Sequence, residues 1–354
     1  MIRHAEAEGN IYRRAHGQFN GLLTGRGYVQ IEQLKQRFKD EHIDAVYSSD
    51  LFRAYTTAGA LSGPRGLTIR KSELLREVGM GVWEDTAWGN IEYFDRDMGK
   101  KFSHDPAQWS VDGSEPYEKV QSRMIGFIKE TAKLHDGETI AFFSHGFAIR
   151  ALMCLLKDVP SHRTDEVPYC DNTAVAFMLC DNDDIKLEYS SCNSHLSTEL
   201  STLAHQTWWR KDVGTGRKWN NENVRITPLD TEQDSAVIEA CKTDIGERPP
   251  ADREYTAYME NDPVGIIGIN TEEGAGSGTG RISYIYVMPQ FRRKTYGTQL
   301  LGQAVADFRK LRREKMYAAV PQSSTAAKFF EKFDFTGINK SNDLDIMEKY
   351  LVNW

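Results

Sequence analysis

Apolar residues recur at helical spacing in some segments of the chain and form short continuous runs in others. Residues 29–40 and 118–134 have the helical period, whereas 45–48 and 139–143 are apolar runs that lead into polar residues, as buried strands do. Strands that alternate with helices are typical of a doubly wound α/β fold, in which ligands bind beyond the carboxyl ends of parallel strands. His145 follows the second run closely, so we expect it to lie where such a ligand binds.

A change in composition separates the second half of the chain from the first. Residues 211–223 are polar, contain Gly and Asn and have no period, which is typical of a linker. The sequence therefore predicts two domains, 1–210 and 224–354, joined by that linker.

Composition narrows the classes of partner. The chain has 354 residues, of which 40% are hydrophobic, and this is enough for two domains with apolar cores. A net charge of −7 disfavours a broad nucleic-acid or anionic-membrane surface, although a local basic pocket is compatible with that total. No apolar stretch is long enough to span a bilayer, so we expect a cytoplasmic protein with no nucleic-acid or membrane partner.

The cysteines and histidines have no metal-binding pattern. The five cysteines are odd in number and form no CxxC pair, which favours reduced thiols over a disulfide framework. The histidines show no HExxH or comparable spacing. We therefore expect no metal site.

Two histidines and two arginines suit phosphoryl transfer. A phosphoryl group in transfer spreads negative charge over several oxygens, which the planar guanidinium of arginine binds better than a lysine ammonium does. This favours Arg3 and Arg53 as phosphate ligands. An imidazole can take the phosphoryl group covalently when its attacking nitrogen is unprotonated, and we assign this role to His4.

Five motifs in this half of the chain occur together in one known family. They are RHAEAEGN at 3–10, LLTGRG at 22–27, YSSDLFRAYTTA at 47–58, LLREVGMGVWED at 74–85 and SHGFAIRAL at 144–152. In this order they resemble the histidine phosphatase superfamily, which also contains the phosphoglycerate mutases. The resemblance covers residues 1–210 and implies a three-layer, doubly wound α/β domain in which residues 86–117 form an insertion over the pocket.

The resemblance also implies roles for further residues. His145 would donate to the phosphoryl oxygens and offset their charge, and Asn10 would add a neutral donor. Glu77 matches the acid that protonates the leaving alkoxide, with Glu84 as the alternative. Arg14 matches a residue of the phosphate or substrate pocket, although the neighbouring Arg13 leaves this choice open. The implied phosphate-binding residues are Arg3, Asn10, Arg14, Arg53 and His145.

Three features depart from the family's pattern. Ala5 stands where the family has Gly after the histidine, so we expect backbone strain there. Ala7 lacks the hydroxyl of the usual Ser or Thr. Only Met1 and Ile2 precede the Arg-His pair, where relatives have a longer apolar run, so the central strand is expected to be short. Either the recorded start is too late, or the site is weakly anchored.

Residues 224–354 resemble a second family, the GNAT superfamily of N-acetyltransferases. The resemblance is carried by VRITPLD, DPVGIIGI, ISYIYVMP, TAAKFFEKFDF and the loop and helix QFRRKTYGTQLLGQAVADFRKL. In that family, backbone N–H groups of the loop and the helix N-terminus hold the pyrophosphate of acyl-coenzyme A. The resemblance implies a helix near 231–245, strands at 262–269 and 282–289, and a loop that leads into a long helix over 290–311. It also implies an α+β domain that binds acetyl-coenzyme A and acts on an unknown amine. The implied coenzyme-binding residues are Arg292, Arg293, Lys294, Thr295, Tyr296, Gly297 and Thr298.

Two positions of this second domain differ from many relatives. Thr295 replaces the first Gly of the loop, whereas Gly297 matches the second, so the threonine side chain would crowd the backbone. Phe330 stands where many relatives have a tyrosine that protonates the departing thiolate, and phenylalanine cannot do this. Other hydroxyls that could serve are those of Tyr284, Tyr286 and Tyr317.

Together these features predict a phosphomonoester hydrolase that acts through a phosphohistidine, fused to an acyl-coenzyme A-binding, N-acetyltransferase-like domain. Its partners would be a small phosphorylated substrate, acyl-coenzyme A and an amine acceptor. One alternative is a phosphoglycerate mutase-type phosphotransferase, which would need more basic residues in the insertion than Arg96, Lys100 and Lys101. Another is a regulatory or scaffold protein in which one or both domains are inactive, as the departures from both family patterns would allow.

Overall fold

A computed structural model describes residues 1–181, 184–206, 223–322, 324–341 and 343–352. The described chain forms two compact units. The first comprises Met1–Asn10, Ala15–Thr86 and residues 94–206, and the second comprises Ile11–Arg14, Ala87–Tyr93 and residues 223–352. Residues 211–222 of the expected linker lie outside the described residues, so the domain boundaries stay a prediction.

The elements up to residue 206 alternate between strands and helices. The strands are β1 (Ile2–Arg3), β2 (Arg14–Ala15), β3 (Ala45–Ser48), β4 (Ile69–Lys71), β5 (Thr86–Ala87), β6 (Ile140–Ser144), β7 (Val175–Asp181) and β8 (Asp184–Cys192). The α-helices are α1 (Glu8–Tyr12), α2 (Gly25–Arg37), α3 (Phe52–Arg65), α4 (Trp88–Phe94), α5 (Arg96–His104), α6 (Tyr117–Lys133) and α7 (Gly146–Leu156). Short 3-10 helices lie at Glu73–Leu75, Gly81–Trp83, Pro106–Gln108, Ser161–Glu166 and Leu203–His205.

A mixed sheet in the order β4-β3-β6-β1-β7-β8 forms the centre of the first unit. The strands from β4 to β1 are parallel, whereas β7 is antiparallel to β1 and β8 is antiparallel to β7. Its core joins Ile2, Val46 and Phe143 of the sheet to Leu34 and Leu61 of helices α2 and α3. This arrangement confirms the predicted α/β fold, and it brings the carboxyl ends of β1, β3 and β6 to one edge of the sheet.

The central strand β1 is short, as expected, but it is paired on both sides. Ile2 lies opposite Phe143 of β6 in parallel and opposite Val175 of β7 in antiparallel register. Hydrogen bonds continue past the strand, because His4 N–H donates to the Ser144 carbonyl at 3.0 Å and Arg3 N–H donates to Ala174 at 3.1 Å. The backbone of the Arg-His pair is therefore fixed by both neighbouring strands.

Local sequence explains where the helices of this unit begin. Helix α2 begins after Thr24, whose hydroxyl accepts the N–H of Gly27 as a helix cap. A Cβ at Gly27 would lie 2.3 Å from the carbonyl oxygen of Glu6, so this close approach requires glycine. Helix α6 buries Val120, Met124 and Ile128, four residues apart, which is the helical period predicted for this segment.

The elements after residue 223 form a second sheet with helices. The strands are β9 (Arg225–Pro228), β10 (Arg253–Met259), β11 (Asp262–Asn270), β12 (Thr279–Val287), β13 (Lys315–Pro321), β14 (Thr336–Ser341) and β15 (Leu344–Tyr350). The helices are α8 (Ser235–Ile245), α9 (Tyr296–Lys310) and α10 (Thr325–Glu331), with 3-10 helices at Ala275–Ser277 and Pro289–Phe291. The strand order is β14-β15-β13-β12-β11-β10-β9, which agrees with the predicted α+β class.

The two middle strands of this sheet separate along their length. Strands β12 and β13 pair in parallel from Thr279 opposite Lys315 to Ile282 opposite Ala318. Beyond these residues β12 continues to Val287 alongside β11, and β13 continues to Pro321 alongside β15. A gap therefore opens between two central strands, and helix α9 begins shortly after β12 ends.

Candidate active sites

His4 is held as a neutral imidazole directly after strand β1. The residue is 4% exposed, and Nδ1 lies 2.7 Å from the carbonyl oxygen of Ala5. Since a carbonyl only accepts, Nδ1 carries the proton and Nε2 has a free lone pair. Burial and the charges of Arg53 and Arg3 lower the pKa of His4 well below its usual value. This tautomer is the one that a nucleophilic imidazole needs.

The loop after His4 is fixed by side-chain hydrogen bonds. Thr57 accepts the N–H of Ala5 at 2.9 Å, and Asn10 Oδ1 accepts the N–H of Ala7 at 2.9 Å. Asn172 donates to the His4 carbonyl at 2.9 Å. Ala5 and Ala7 are fully buried, and neither has a positive φ. The expectation of backbone strain at Ala5 is therefore wrong, because this backbone conformation does not require glycine.

His145 faces His4 from the carboxyl end of strand β6. The two ring centroids are 5.1 Å apart. Arg53 donates from Nε to His145 Nδ1 at 3.1 Å, and His145 Nε2 lies 2.8 Å from the hydroxyl oxygen of Ser49. Burial, followed by the charge of Arg53, lowers the pKa of His145 well below its usual value. Both histidines are therefore neutral near pH 7.

Two arginines provide the positive charge of the site. Arg53 is 1% exposed, and its Nη1 and Nη2 donate to the carbonyls of Phe19 at 2.8 Å and Gly17 at 2.7 Å. Burial lowers the pKa of Arg53 to about 10, so it stays charged at neutral pH. Arg3 donates from Nη1 to the Cys170 carbonyl at 2.5 Å, while its buried Nε has no hydrogen-bond partner among the described residues. A phosphoryl oxygen would satisfy this donor.

Glu77 lies at the N-terminus of helix α7, beside His145. Its Oε2 accepts the N–H of Phe147 at 3.0 Å, and its Oε1 accepts those of Ala148 at 2.9 Å and Val78 at 3.0 Å. Glu77 thus binds three backbone N–H groups, two of which belong to the first turn of α7. The alternative acid, Glu84, accepts the N–H groups of Gln18 at 2.9 Å and Met80 at 3.2 Å. Both carboxylates are close enough to Arg53 to oppose the lowering of its pKa.

The remaining predicted phosphate ligands differ in their placement. Asn10 stays with the His4 loop, where its Oδ1 also accepts from Asn172 at 3.4 Å. Arg14 belongs to the second unit, in which Nη1 donates to Gln303 at 3.2 Å. The side chains that the structure brings together in the first unit are thus Arg3, His4, Asn10, Arg53, Glu77 and His145.

Sequence reasoning missed several residues around the histidines. Ser49, Thr57 and Asn172 each bond to a group described above, and the first two lie in the same motif as Arg53. His16 packs closely against Gly9 and Gly21, since a Cβ at either glycine would lie within 2.8 Å of the ring nitrogen Nε2. The pair Ser48-Ser49 at the end of an apolar run is the sequence feature that could have indicated a polar residue of the site at Ser49.

The loop before helix α9 in the second unit fits an anionic group. Arg293 and Thr295 have positive φ angles of 62° and 66°, and Thr295 gives the helix no side-chain cap. Helix N–H groups without a side-chain cap, next to a loop with alternating dihedrals, are typical of phosphate sites. Arg293 and Lys294 are exposed there, whereas Arg292 bonds to Asp244 at 3.2 Å. Of the helix residues in the predicted set, Tyr296 and Thr298 are buried and Gly297 is half-buried.

The tyrosines considered as proton donors in this unit are each bonded to a carboxylate. Tyr286 donates to Asp244 at 2.9 Å and Tyr317 to Glu273 at 2.7 Å, while Tyr284 donates to Glu254. Burial, together with the carboxylate, raises the pKa of Tyr286 and of Tyr317 to about 12, and the pKa of Tyr284 is also raised. These hydroxyls hold their protons tightly in the ligand-free structure.

Within the described ranges, no group of three or more His, Cys, Asp or Glu side chains is placed to hold a metal ion. Over the same part of the chain, no helix combines the length and apolar character needed to cross a bilayer.

Comparison with known proteins identifies both domains. The sequence model of the histidine phosphatase superfamily (branch 1) matches residues 1–193, and that of the acetyltransferase (GNAT) family matches residues 217–335. The chain is 31% identical over 160 residues, or 45% of its length, to phosphoserine phosphatase 1 from Hydrogenobacter thermophilus, of which it covers 75%. It is 28% identical over 162 residues, or 46% of its length, to the probable phosphoglycerate mutase GpmB from Yersinia pestis, of which it covers 75%.

A solved structure agrees with these matches. Bacillus stearothermophilus YhfR superposes with a TM-score of 0.53 at 28% identity, over 55% of this chain and 96% of that protein. The family prediction made from the separated motifs is thereby confirmed for both halves. The chain belongs to the histidine phosphatase superfamily and carries a second domain of the GNAT acetyltransferase family.

Proposed function

We propose that the first domain hydrolyses a small phosphomonoester through a phosphohistidine on His4. The observation that carries this proposal is the hydrogen bond from His4 Nδ1–H to the Ala5 carbonyl at 2.7 Å, which leaves Nε2 unprotonated in a buried, positively charged site. The guanidinium groups of Arg3 and Arg53 and the imidazole of His145 bind the phosphoryl oxygens and offset their charge in the transition state.

In the first half-reaction, His4 Nε2 attacks phosphorus and the bond from phosphorus to the ester oxygen breaks. Protonated Glu77 gives its proton to the leaving alkoxide, so the alcohol departs neutral and phosphate stays bonded to His4. In the second half-reaction, the ionised Glu77 takes a proton from water, whose oxygen attacks phosphorus. Inorganic phosphate and free His4 are formed, and Glu77 is protonated again. The N–H groups of Phe147 and Ala148 hold the carboxyl group of Glu77 in place for both steps.

Water is the proposed acceptor, although a related protein is named as a mutase. Arg96 and Lys100 of the insertion are exposed and Lys101 is half-buried, so none of them is enclosed with the histidines to retain a released product. The similarity to phosphoserine phosphatase 1 supports a small phosphorylated compound as substrate. A cytoplasmic site of action is part of this proposal, and the free state of all five cysteines supports it.

For the second domain we propose binding of acyl-coenzyme A and transfer of its acyl group to an amine. Exposed Arg293 and Lys294, the loop N–H groups and the N-terminus of helix α9 would hold the pyrophosphate. The coenzyme would supply an acyl group activated as a thioester. This loop follows β12 in the chain, and the gap between β12 and β13 would admit the extended arm of the coenzyme.

The first test is hydrolysis of an aryl phosphate by the His4→Ala protein. We expect activity to fall by several orders of magnitude and the acid-labile phosphoprotein trapped from the wild type to disappear. His42→Ala, at an exposed histidine, is the control and should keep both. Unchanged hydrolysis by His4→Ala would contradict the proposed nucleophile.

A further inference from the structure

Ser49 and His145 lie side by side because they follow two adjacent parallel strands. In the register of β3 and β6, Ser48 lies opposite Phe143. The N–H of Ser49 then donates to the Phe143 carbonyl at 2.9 Å, which fixes Ser49 beside the strand that leads to His145. Both residues are fully buried, and the hydroxyl oxygen lies 2.8 Å from Nε2. The contact therefore joins the first residues after two paired strands.

The partners of His145 determine which ring nitrogen carries its proton. Arg53 Nε is always a donor, so His145 Nδ1, 3.1 Å away, must accept. In a neutral imidazole the proton is then on Nε2, which donates it to Ser49. The Ser49 oxygen accepts a second hydrogen bond from the N–H of Leu51 at 3.3 Å, which holds it in place. Arg53 thus donates to Nδ1 of His145, and Nε2–H of His145 donates to the hydroxyl oxygen of Ser49.

A bound phosphoryl group changes the electrostatic surroundings of His145. The charged and titratable groups around its ring are Arg53 on α3, His4 and Arg3 at β1, Arg123 on α6, and Glu77, which bonds to the first turn of α7. Burial and the three arginines lower the pKa of His145 and disfavour an imidazolium before a phosphoryl group binds. A phosphoryl dianion reverses this effect. Arg53 Nε can then turn to a phosphoryl oxygen, and Nδ1 can take up a proton and donate to the same group.

We propose that Ser49 is a positioning residue of the phosphatase site, which binds the Nε2–H of His145 and thereby directs Nδ1 as a proton-bearing donor to the phosphoryl group. This inference rests on the proposed phosphatase function. Without the hydroxyl, the Nε2–H of a buried imidazolium has no acceptor, and an unpaired donor on a charged group is costly. Ser49 makes no contact with the reacting atoms in this scheme and acts through His145.

The kinetic test compares Ser49→Ala with two matched variants. Ser49→Thr keeps a hydroxyl at the same position. Ser48→Ala removes an equally buried hydroxyl, which donates to the Ser49 carbonyl at 2.8 Å and does not contact His145. For hydrolysis of an aryl phosphate we expect kcat to fall about 10- to 100-fold in Ser49→Ala. Ser49→Thr should recover most of this loss, and Ser48→Ala should retain activity close to that of the wild type.

The pH profile separates positioning from a general loss of structure. We measure kcat with an aryl phosphate whose good leaving group does not need the proton of Glu77. Since kcat reports the groups of the enzyme–substrate complex, its decrease at high pH on this substrate marks loss of the His145 proton. Removing the acceptor of Nε2–H makes the imidazolium less favourable, so this decrease should move to lower pH in Ser49→Ala and in neither matched variant. A lower kcat with an unchanged profile, or an equal shift in Ser48→Ala, would overturn the proposal.

A spectroscopic measurement on the wild-type chain tests the same idea without substitutions. In protein with ¹⁵N-labelled histidine, we expect His145 to be a neutral Nε2–H tautomer in the absence of ligand and an imidazolium when orthovanadate is bound. A proton on Nδ1 in the ligand-free protein, or a ring that stays neutral with vanadate, would refute the inference. The proposed function fails separately, through undiminished hydrolysis by His4→Ala, whatever the tautomer of His145.

Discussion

Glu77 accepts the backbone N–H of Phe147 at 3.0 Å, and this bond links the proposed acid to the helix that begins after His145. The same carboxylate thus has two effects. It caps the N-terminus of α7, where its negative charge is favourable, and it stands beside the phosphate site as a proton donor and acceptor. Substitution of Glu77 should therefore change both stability and catalysis.

We expect Glu77→Gln to slow hydrolysis of an alkyl phosphate by about 100-fold or more, because its leaving group needs a proton. An aryl phosphate with a good leaving group should lose less than about 10-fold. The amide nitrogen cannot accept an N–H, so the free energy of unfolding should also fall by about 1 kcal/mol. Steady-state kinetics on both substrates and chemical denaturation measure these effects.

Glu84→Gln is the control for that comparison, because Glu84 bonds to backbone N–H groups near Arg53 without contacting helix α7. It should lose activity equally on the two substrates. If instead Glu84→Gln shows the dependence on leaving group and Glu77→Gln does not, the assignment of the acid is reversed.

The stability of the first domain should fall as the pH decreases from 7.5 to 5.5. Burial lowers the pKa of His4 and of His145 well below 6.5, and it lowers that of His195 to about 4. Below pH 6.5 the unfolded chain therefore binds more protons than the folded one. Between pH 7.5 and 5.5 this should cost about 1 kcal/mol for each of the two fully buried histidines.

Urea denaturation at several pH values measures this dependence. His4→Ala should show a smaller decrease than the wild type, and His42→Ala, at an exposed histidine, should show the same decrease. A free energy of unfolding that is constant or rises on acidification would mean that the two site histidines are protonated in the folded protein.

The parts of the site that sequence predicted are those tied to strand ends. His4 and His145 follow β1 and β6, so a motif together with the rule for parallel sheets is enough to place them together. Ser49 was missed because its contact with His145 depends on the register between β3 and β6, which no local pattern encodes. Arg13 and Arg14 are adjacent in the sequence, so the motif does not distinguish them. The sequence also does not indicate that Arg14 belongs to the second unit.

The second domain shows the same limit. Strand β12 and helix α9 lie where the family resemblance places them. Helix α8 begins at Ser235, later than expected, and the carboxylate of the preceding Asp234 accepts the hydroxyl of Thr256 of β10 at 2.6 Å. The bonds from Tyr284, Tyr286 and Tyr317 to carboxylates join residues 30 or more positions apart. Contacts of this kind depend on the tertiary fold, which periodicity does not specify.

Thr295→Gly should stabilise the second domain and retain or improve binding of acetyl-coenzyme A. Thr295 has a φ of 66°, and a side chain in this region costs about 1 kcal/mol relative to glycine. Thermal unfolding and calorimetric titration with acetyl-coenzyme A measure the two effects.

Arg293→Gly is the matched variant, because Arg293 also has a positive φ and is also exposed. It should gain similar stability but bind the coenzyme more weakly, since it removes a positive charge near the proposed pyrophosphate site. Equal affinity of both variants for the coenzyme would show that Arg293 does not contact the pyrophosphate.

Phe330→Tyr should destabilise the second domain and should not increase acyl transfer. Phe330 is 2% exposed, and its ring packs against Phe335 with centroids 4.8 Å apart. A hydroxyl added here would be buried among phenyl rings, at a cost of about 1–3 kcal/mol without a hydrogen-bond partner. The adjacent Phe329 is half-buried, so Phe329→Tyr can direct its hydroxyl to water and should change stability little. Thermal unfolding of both variants and release of free thiol from acetyl-coenzyme A measure these outcomes. Faster thiol release by Phe330→Tyr would mean that the side chain at this position reaches the coenzyme sulfur, as the family pattern implies, and that its packing in the ligand-free structure changes when the coenzyme binds.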